Sequence, residues 1–179
     1  MKFAVILNSL ALCAMVGVGA YHIKEANAEQ QIENFDEKEM RCLQQNIYFE
    51  ARNQSTLGKR AVAWVTLNRV VDDRYPDTIC GVVKQGKQNA DGSMVRNACQ
   101  FSWYCDGKSD SVPDQSQEIK KWNKSGLIAR SVLRQWLLDQ HDPTEGADHY
   151  HADYVNPAWS EAGVMVTQID NHIFYRVDW

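Results

Sequence analysis

Hydrophobic residues recur at helical spacing through the first two thirds of the chain. After Asp36, which can cap a helix with Glu39 completing a capping box, one face carries apolar residues three or four positions apart: Met40, Leu43, Ile47 and Ala51. The next segment, residues 58–71, is apolar on nearly every side, as is typical of a helix at the centre of a fold. The sequence therefore predicts two helices that are separated by the polar residues 53–56.

The rest of the chain changes from helical to alternating spacing. We expect a short helix at 78–85 and a loop at 86–97, followed by a long helix that begins after Asp114 and ends near Pro143. Alternation of polar and apolar residues then predicts three strands, at 148–155, 164–169 and 172–176. The expected fold class is α+β, with a mainly helical body and a small antiparallel sheet near the C-terminus.

The first 28 residues have the form of an export signal. Lys2 precedes an apolar run over residues 3–20, and Ala26-Asn27-Ala28 has the small-x-small form of a signal-peptidase site. Cleavage there is expected to leave a linker, residues 29–35, and one folded domain, residues 36–179. The sequence therefore predicts an exported protein of the periplasm or cell envelope.

Two alternatives remain open for this leader. Its cleavage region carries Lys24 and Glu25, which leaves room for an earlier cut after Ala20. Without any cut, residues 1–28 are long enough for contact with a membrane, at least transiently. Four cysteines follow the leader, and an oxidising compartment favours disulfides among them, with three connectivities open: Cys42, Cys80, Cys99 and Cys105.

Length and charge exclude some classes of protein. A chain of 179 residues is long enough to form one domain with its own core, and we expect a monomer. The net charge of −4 shows no excess of basic residues. A protein dedicated to binding nucleic acid is therefore disfavoured.

Glu50 is the candidate for acid–base chemistry. At about 100° per residue it lies at the rim of the apolar face of its helix, in the last turn and just ahead of the most buried helix. Apolar surroundings disfavour the charged form of a carboxyl group, which raises its pKa toward values where it can donate a proton at neutral pH. The alternative is a solvated carboxylate that pairs with Arg41 or Arg52.

Ordered blocks of sequence run from about residue 40 to residue 176. They are residues 42–52 with 58–69, Tyr75-Pro76-Asp77 continuing to residue 83, Cys99-Gln100-Phe101-Ser102-Trp103, His149-Tyr150-His151 followed by Pro157 and Trp159, and His172-Ile173-Phe174-Tyr175-Arg176. In this order they resemble the SleB-like cell-wall hydrolase family. The resemblance implies a lysozyme-like domain of the lytic transglycosylase type, which cleaves the glycan strands of peptidoglycan, and it places the catalytic glutamate at Glu50. We expect no cofactor and no metal ion.

Other residues of these blocks are expected to line the substrate groove. Gln100 and Ser102 can hydrogen-bond the acetamido and hydroxyl groups of a sugar, and Trp103 either offers a flat face to a sugar ring or belongs to the core. On a strand Tyr150 points to one face and His151 to the other, and the resemblance implies that both lie near the cleft. Four more residues of these blocks are expected to be structural: Asn68, Arg69, Trp159 and Tyr175.

Three other activities fit parts of the sequence. A muramidase hydrolyses the same bond between N-acetylmuramic acid and N-acetylglucosamine with water and needs a second carboxylate, for which the candidates are Asp72, Asp73, Asp77 and Asp106. A zinc amidase would draw its ligands from Asp148, His149, His151, Asp153 and His172, although no His-Glu-x-x-His pattern occurs. A non-catalytic wall-binding module would hold glycan through Trp103. We expect the transglycosylase, acting in cell-wall remodelling or as a phage endolysin.

Overall fold

The computed structural model describes residues 20–178, which form a helical body with two small sheets. Residues 20–33 are helical and are called α1. The other α-helices are α2 (Glu37–Ala51), α3 (Thr56–Val70), α4 (Ile79–Val83) and α5 (Ser116–Leu137). Two short 3-10 helices, Ser102–Cys105 and Ala158–Glu161, lie in the connections between the strands and helices. The α+β class predicted from the sequence is confirmed.

Side-chain caps begin three of the helices. Asp36 accepts a hydrogen bond from the backbone N–H of Lys38 at the start of α2, as the sequence predicts. Ser55 and Thr78 cap α3 and α4 in the same way. Glu39 accepts a hydrogen bond of 2.8 Å from the backbone N–H of Cys80, so its carboxylate connects α2 to α4.

The core lies where α2, α4 and α5 meet the central helix α3. Every α3 residue from Ala61 to Leu67 is buried, in agreement with its unbroken apolar pattern. The stripe predicted on α2 also faces inward, because Leu43 and Ile47 are completely buried. Removal of this apolar surface from water is the main force that holds the helical body together.

Five strands form two antiparallel sheets. Strands β3 (His149–Ala152), β4 (Val164–Ile169) and β5 (His172–Arg176) form the sheet near the C-terminus, in the order β3-β5-β4. The sequence predicts β4 and β5 with these bounds and β3 with longer ones. It misses the other sheet, a hairpin of β1 (Gly86–Gln88) and β2 (Met94–Cys99), where it predicts a loop. The polar and glycine-rich composition of this segment resembles a loop because the hairpin buries little of its surface.

A second buried cluster joins the three-stranded sheet to the central helix. Ala61 and Val65 of α3 pack against Phe174 of β5 and Ile169 of β4. Tyr150 of β3 packs against the same cluster. This contact directs one face of β3 toward the helical body.

Helix α1 differs from the expected linker. Residues 29–33 are helical, and Ile32 belongs to the main core. Arg134 of α5 forms ion pairs with Glu25 and Glu29, which hold α1 against α5. The rest of the predicted leader, residues 1–19, lies outside the described residues. Within residues 20–178 no helix is both long and apolar enough to cross a membrane.

Two disulfides connect the four cysteines that follow the leader. Cys42 of α2 is bonded to Cys80 of α4, and Cys99 of β2 is bonded to Cys105 at the end of the first 3-10 helix. The structure thus selects one of the three connectivities that the sequence left open. The first bridge connects two core helices, and the second closes a short loop.

Candidate active site

A cleft of about 940 Å³ opens between the helical body and the three-stranded sheet. Its walls come from the end of α2, the loop that the Cys99–Cys105 disulfide closes, the start of α5, and β3 with the residues that follow it. All six residues that the sequence predicts for the site line this cleft: Glu50, Gln100, Ser102, Trp103, Tyr150 and His151. Segments far apart in the chain therefore meet at one place.

Glu50 lies in the last turn of α2, with part of its surface open to the cleft. Burial raises the pKa of its carboxyl group to about 7, and the hydrogen bond from Tyr150 and the charge of Arg69 limit the increase. At neutral pH a large fraction of Glu50 is therefore protonated. Arg52 pairs with Glu118 at 3.7 Å, so the surface ion pair weighed as an alternative for Glu50 is formed by another acid.

Tyr150 holds the carboxyl group of Glu50 in place. Its hydroxyl donates a hydrogen bond of 3.0 Å to Oε2 of Glu50. The ring packs against Phe174, with ring centroids 5.5 Å apart, and against His172 at 5.0 Å. Burial and the nearby carboxyl group raise the pKa of Tyr150 well above its usual value, so the phenol remains neutral and can donate.

His151 lies on the opposite face of β3, as the alternation of the strand predicts, and its edge lines the cleft. Its Nδ1 lies 2.9 Å from the carbonyl oxygen of Ala152, which can only accept, so Nδ1 carries a proton. Its Nε2 lies 3.2 Å from the hydroxyl oxygen of Tyr175. Trp159 packs against His151 and Tyr175, in agreement with a structural role.

The loop between Cys99 and Cys105 contributes three residues to the cleft. Gln100 and Ser102 are exposed and free to meet a ligand. Trp103 is only 8% exposed, stacks on Phe49 with ring centroids 4.6 Å apart, and donates its indole N–H to Asn46 at 3.0 Å. This geometry favours the core interpretation of Trp103 over a platform for sugar rings.

Arg69 is a cleft residue whose position the sequence did not reveal. It was expected to anchor α3, and its Nε does donate a hydrogen bond of 2.6 Å to the carbonyl oxygen of Asp148. It also lines the cleft with Glu50 and Tyr150, although the side chain is 4% exposed. The signal that could have revealed it is an arginine near the end of a helix that is apolar on nearly every side.

The exposed rim of the cleft carries further residues that the sequence did not single out. Tyr154, after β3, is 82% exposed, so its ring is open to a ligand. Of the four acids considered as a second carboxylate, Asp106 lines the cleft and forms an ion pair of 3.3 Å with Lys108. Asp72 pairs with Arg74 instead.

The histidines considered as zinc ligands have other partners. His149 lies 3.1 Å from the carboxylate of Asp148, and His151 contacts Tyr175. In the part of the chain that the structure describes, no group of three or more His, Cys, Asp or Glu side chains is placed to hold a metal ion.

Comparison with known proteins identifies the family. The family model described as Cell Wall Hydrolase matches residues 53–175, which is more than half of the chain. The chain belongs to this family, of the SleB-like type that its sequence blocks resemble. The match begins three residues after Glu50, so it does not include the candidate acid.

Curated relatives of this family member carry the name spore cortex-lytic enzyme. One, from Halalkalibacterium halodurans, is 27% identical over 154 residues, which cover 84% of this chain and 39% of the relative. Another, from Bacillus cereus, is 26% identical over 143 residues, covering 79% of this chain and 46% of the relative. The chain thus spans less than half the length of these relatives.

Two solved structures show the same fold. The catalytic domain of the Bacillus cereus SleB protein has a TM-score of 0.55 and 23% identity, covering 79% of this chain and 92% of that one. The catalytic domain of the germination-specific lytic transglycosylase SleB from Bacillus anthracis has a TM-score of 0.54 and 24% identity, covering 79% and 97%. The lysozyme-like α+β fold predicted from the sequence is confirmed.

Proposed function

We propose that this protein is an exported enzyme that degrades peptidoglycan. In this proposal it cleaves the bond between N-acetylmuramic acid and N-acetylglucosamine as a lytic transglycosylase. The observation that carries the proposal is a carboxyl group with a pKa of about 7 in a large cleft, held by a neutral phenol. A general acid for cleavage of a glycosidic bond needs such a group.

The proposed reaction uses Glu50 twice. Its protonated carboxyl gives the proton to the bridging oxygen while the bond from that oxygen to C1 of the muramic acid breaks and the ring acquires oxocarbenium character. The 6-hydroxyl of the same sugar then attacks C1, and its proton goes to the Glu50 carboxylate. Glu50 is thereby restored, no water is consumed, and the products are a free 4-hydroxyl and a 1,6-anhydro end.

Other residues of the cleft are assigned roles in binding the glycan. Gln100 and Ser102, which are exposed, are suited to hydrogen bonds with acetamido and hydroxyl groups. His151 borders the same cleft, and Tyr154 offers an exposed ring on which a sugar can stack. Tyr150 orients Glu50. Membership of the cell wall hydrolase family and the names of the relatives support peptidoglycan as the substrate.

A muramidase is the second candidate, and Asp106 is the observation that favours it. This carboxylate lines the same cleft as Glu50. A hydrolase requires a second carboxylate at about 5 to 5.5 Å for retention or about 6.5 to 9.5 Å for inversion. The transglycosylase requires none, since the attacking hydroxyl belongs to the substrate.

Mass spectrometry of muropeptides released from purified peptidoglycan tests the proposal. We expect products that end in 1,6-anhydromuramic acid from the parent protein and none from Glu50→Gln. Glu37→Gln, an exposed position in the first turn of α2, is the matched control and should behave as the parent. Reducing ends would identify a muramidase, released stem peptides would identify an amidase, and full activity of Glu50→Gln would refute the role of Glu50.

Export and oligomeric state are parts of the same proposal. Fractionation of cells that produce the full chain should find the protein in the cell envelope or periplasm, and sequencing of its N-terminus should show whether the leader is cut after Ala28, cut after Ala20, or retained as a membrane contact. Size-exclusion chromatography with light scattering should give the mass of a monomer. Recovery in the cytoplasm, or as a stable dimer, would contradict these parts.

A further inference from the structure

A cation is buried in the wall of the cleft that contains the candidate acid. The guanidinium of Arg69 lies against the rings of Tyr75 and Phe101, with its central carbon 5.1 Å and 5.2 Å from their centroids. Its Nε is bonded to the carbonyl oxygen of Asp148. Its Nη1 is buried and, among residues 20–178, has no hydrogen-bond acceptor. Burying a charge of this kind is costly unless an opposite charge faces it.

The charges of two acids, Asp148 and Glu50, act on Arg69, and the carboxylate of Asp148 has other hydrogen-bond partners. The carboxylate of Asp148 pairs with Nη2 of Arg74 at 2.7 Å and accepts the backbone N–H of Val177 at 3.0 Å. The hydrogen bond from Arg69 goes to the backbone carbonyl oxygen of Asp148 and not to its carboxylate. Both carboxylates favour the charged form of Arg69, Asp148 more strongly than Glu50, and Glu50 is the one that lines the cleft with Arg69.

The proposed reaction changes the charge of Glu50. When this residue gives its proton to the glycosidic oxygen, a negative charge appears on a carboxyl group that protein atoms surround. A positive charge that is fixed before the reaction stabilises this anion without any reorganisation. Tyr150 stabilises the Glu50 anion with one hydrogen bond to Oε2, whereas Arg69 would stabilise it with a full positive charge.

We propose that Arg69 is a positioning residue of this site, whose buried guanidinium balances the negative charge that Glu50 acquires when it donates its proton. The inference rests on the proposed function. Burial alone raises the pKa of a glutamate, and in the parent the charge of Arg69 opposes that increase. Removal of this charge should therefore leave Glu50 protonated up to a higher pH.

Other ionisable groups also face Glu50 and stay unchanged in the comparison. Burial lowers the pKa of His172, which is therefore neutral near pH 7. Besides Glu50 and Arg69, the ionisable groups that line the cleft are Tyr48, Arg52, Asp106, Lys108, Asp110, Glu118, Lys121, Tyr150, His151, Tyr154 and His172. Only Arg69 is altered, so a shift in the pH profile reports its charge.

The test compares Arg69→Met, Arg69→Lys and Arg60→Met. Arg60 lies on the same helix, where it contacts Gln135 away from the cleft, and it serves as the control. The pH dependence of peptidoglycan clearing is measured for each variant. With Arg69→Met we expect the alkaline limb to move to higher pH and the rate at pH 7 to fall about tenfold or more. Arg69→Lys should keep the limb near that of the parent, and Arg60→Met should match the parent.

A folded Arg69→Met protein that is slower but keeps the parent's alkaline limb would overturn the proposal, because the guanidinium would then serve only packing. A second measurement covers a variant that does not fold. The loss of thermal stability caused by Arg69→Met is determined at pH 8.5 in the parent and in Glu50→Gln. The proposal requires a smaller loss in Glu50→Gln, or folding there alone, and equal losses or unfolding in both backgrounds would refute it. This measurement of stability needs no peptidoglycan. It can therefore refute the role of Arg69 separately from the proposed enzymatic function.

Discussion

The hydroxyl of Tyr150 donates a 3.0 Å hydrogen bond to Oε2 of Glu50, although the two residues are 100 positions apart in the chain. One residue comes from the last turn of a helix and the other from a strand of the C-terminal sheet. Docking of that sheet on α3 through Phe174 and Val65 is what brings them together. Glu50 therefore gains its hydrogen bond from Tyr150 only when the helical body and the three-stranded sheet have both folded and packed together.

Tyr150→Phe should impair this acid without disturbing the core. The substitution removes the donor to Glu50 and keeps the ring, so the pKa of Glu50 should rise above about 7 and the alkaline limb of activity should move to higher pH. Loss of a hydrogen bond to a charged group predicts a rate reduction of roughly 10- to 100-fold. Clearing of purified peptidoglycan across pH 5 to 9 is the measurement, with Tyr104→Phe as the control. An unchanged profile would show that the phenol does not act on Glu50.

Glu50 should make the parent less stable at higher pH. A carboxyl group whose pKa is raised from 4.5 unfolded to about 7 folded contributes stability that is complete below about pH 4.5 and is lost as the pH rises through 7. The loss amounts to at most about 3 kcal/mol, and solvent that reaches the carboxyl through the cleft makes this an upper bound.

Glu50→Gln lacks this component, which makes it the comparison for the stability prediction. The difference in free energy of unfolding between the variant and the parent should therefore move in favour of the variant as the pH rises from 4.5 to 8. Urea denaturation at several pH values measures it, and the other titrating groups cancel in the difference. A difference that does not change with pH would show that Glu50 titrates at its ordinary value.

Trp103 should matter more for stability than for binding. Trp103→Ala should cost about 3 to 5 kcal/mol, because it empties a packed site and leaves Asn46 without its donor. Trp103→Phe should lose less stability and should retain binding to peptidoglycan in a pull-down made in the Glu50→Gln background. Trp136→Phe, a partly buried position on α5, is the control. Loss of binding with stability preserved would restore the sugar-platform interpretation.

Removal of the two disulfides should have different effects, one mainly on stability and the other more on activity. The Cys42–Cys80 bridge closes 38 residues, and its removal by paired serine substitutions should cost about 4 kcal/mol. The Cys99–Cys105 bridge closes six residues and should cost about 2 kcal/mol. Because its loop carries Gln100 and Ser102, its removal should reduce activity more at a temperature where both variants are folded. Thermal unfolding and clearing assays on the two double variants test this, and equal losses of activity would contradict it.

Much of the helical body follows from local pattern. The stripe on α2, the apolar run of α3 and the alternation in β4 and β5 are signals that short windows contain, and the structure reproduces them. The sequence misses the hairpin of β1 and β2 because the segment is mostly polar and buries little of its surface, and its register depends on pairing between Gly86 and Cys99. The polar composition of residues 29–35 predicts a linker, whereas residues 29–33 are helical because Ile32 packs into the main core.

The candidate site shows the same limit. The rim of the apolar face on α2 makes Glu50 a candidate, and the ordered sequence blocks, through the family resemblance, predict its catalytic role and the groove residues. Long-range contacts decide the rest: Asn46 receives the indole N–H of Trp103, and the carboxylate of Asp148 pairs with Arg74 while its carbonyl oxygen accepts a hydrogen bond from Arg69. No local sequence pattern predicts whether Arg69 or Arg74 pairs with the carboxylate of Asp148.

The burial of Ala28 has a consequence for the proposed cleavage of the leader. This side chain is 3% exposed, in a helix that the ion pairs of Arg134 fasten to α5. A protease needs access to the backbone, so it can cut after Ala28 only in a chain whose α1 has not yet docked, or during a local opening of that helix. In the proposed export route, cleavage at this bond and docking of α1 would compete, and their relative rates would determine whether the molecule keeps residues 20–28.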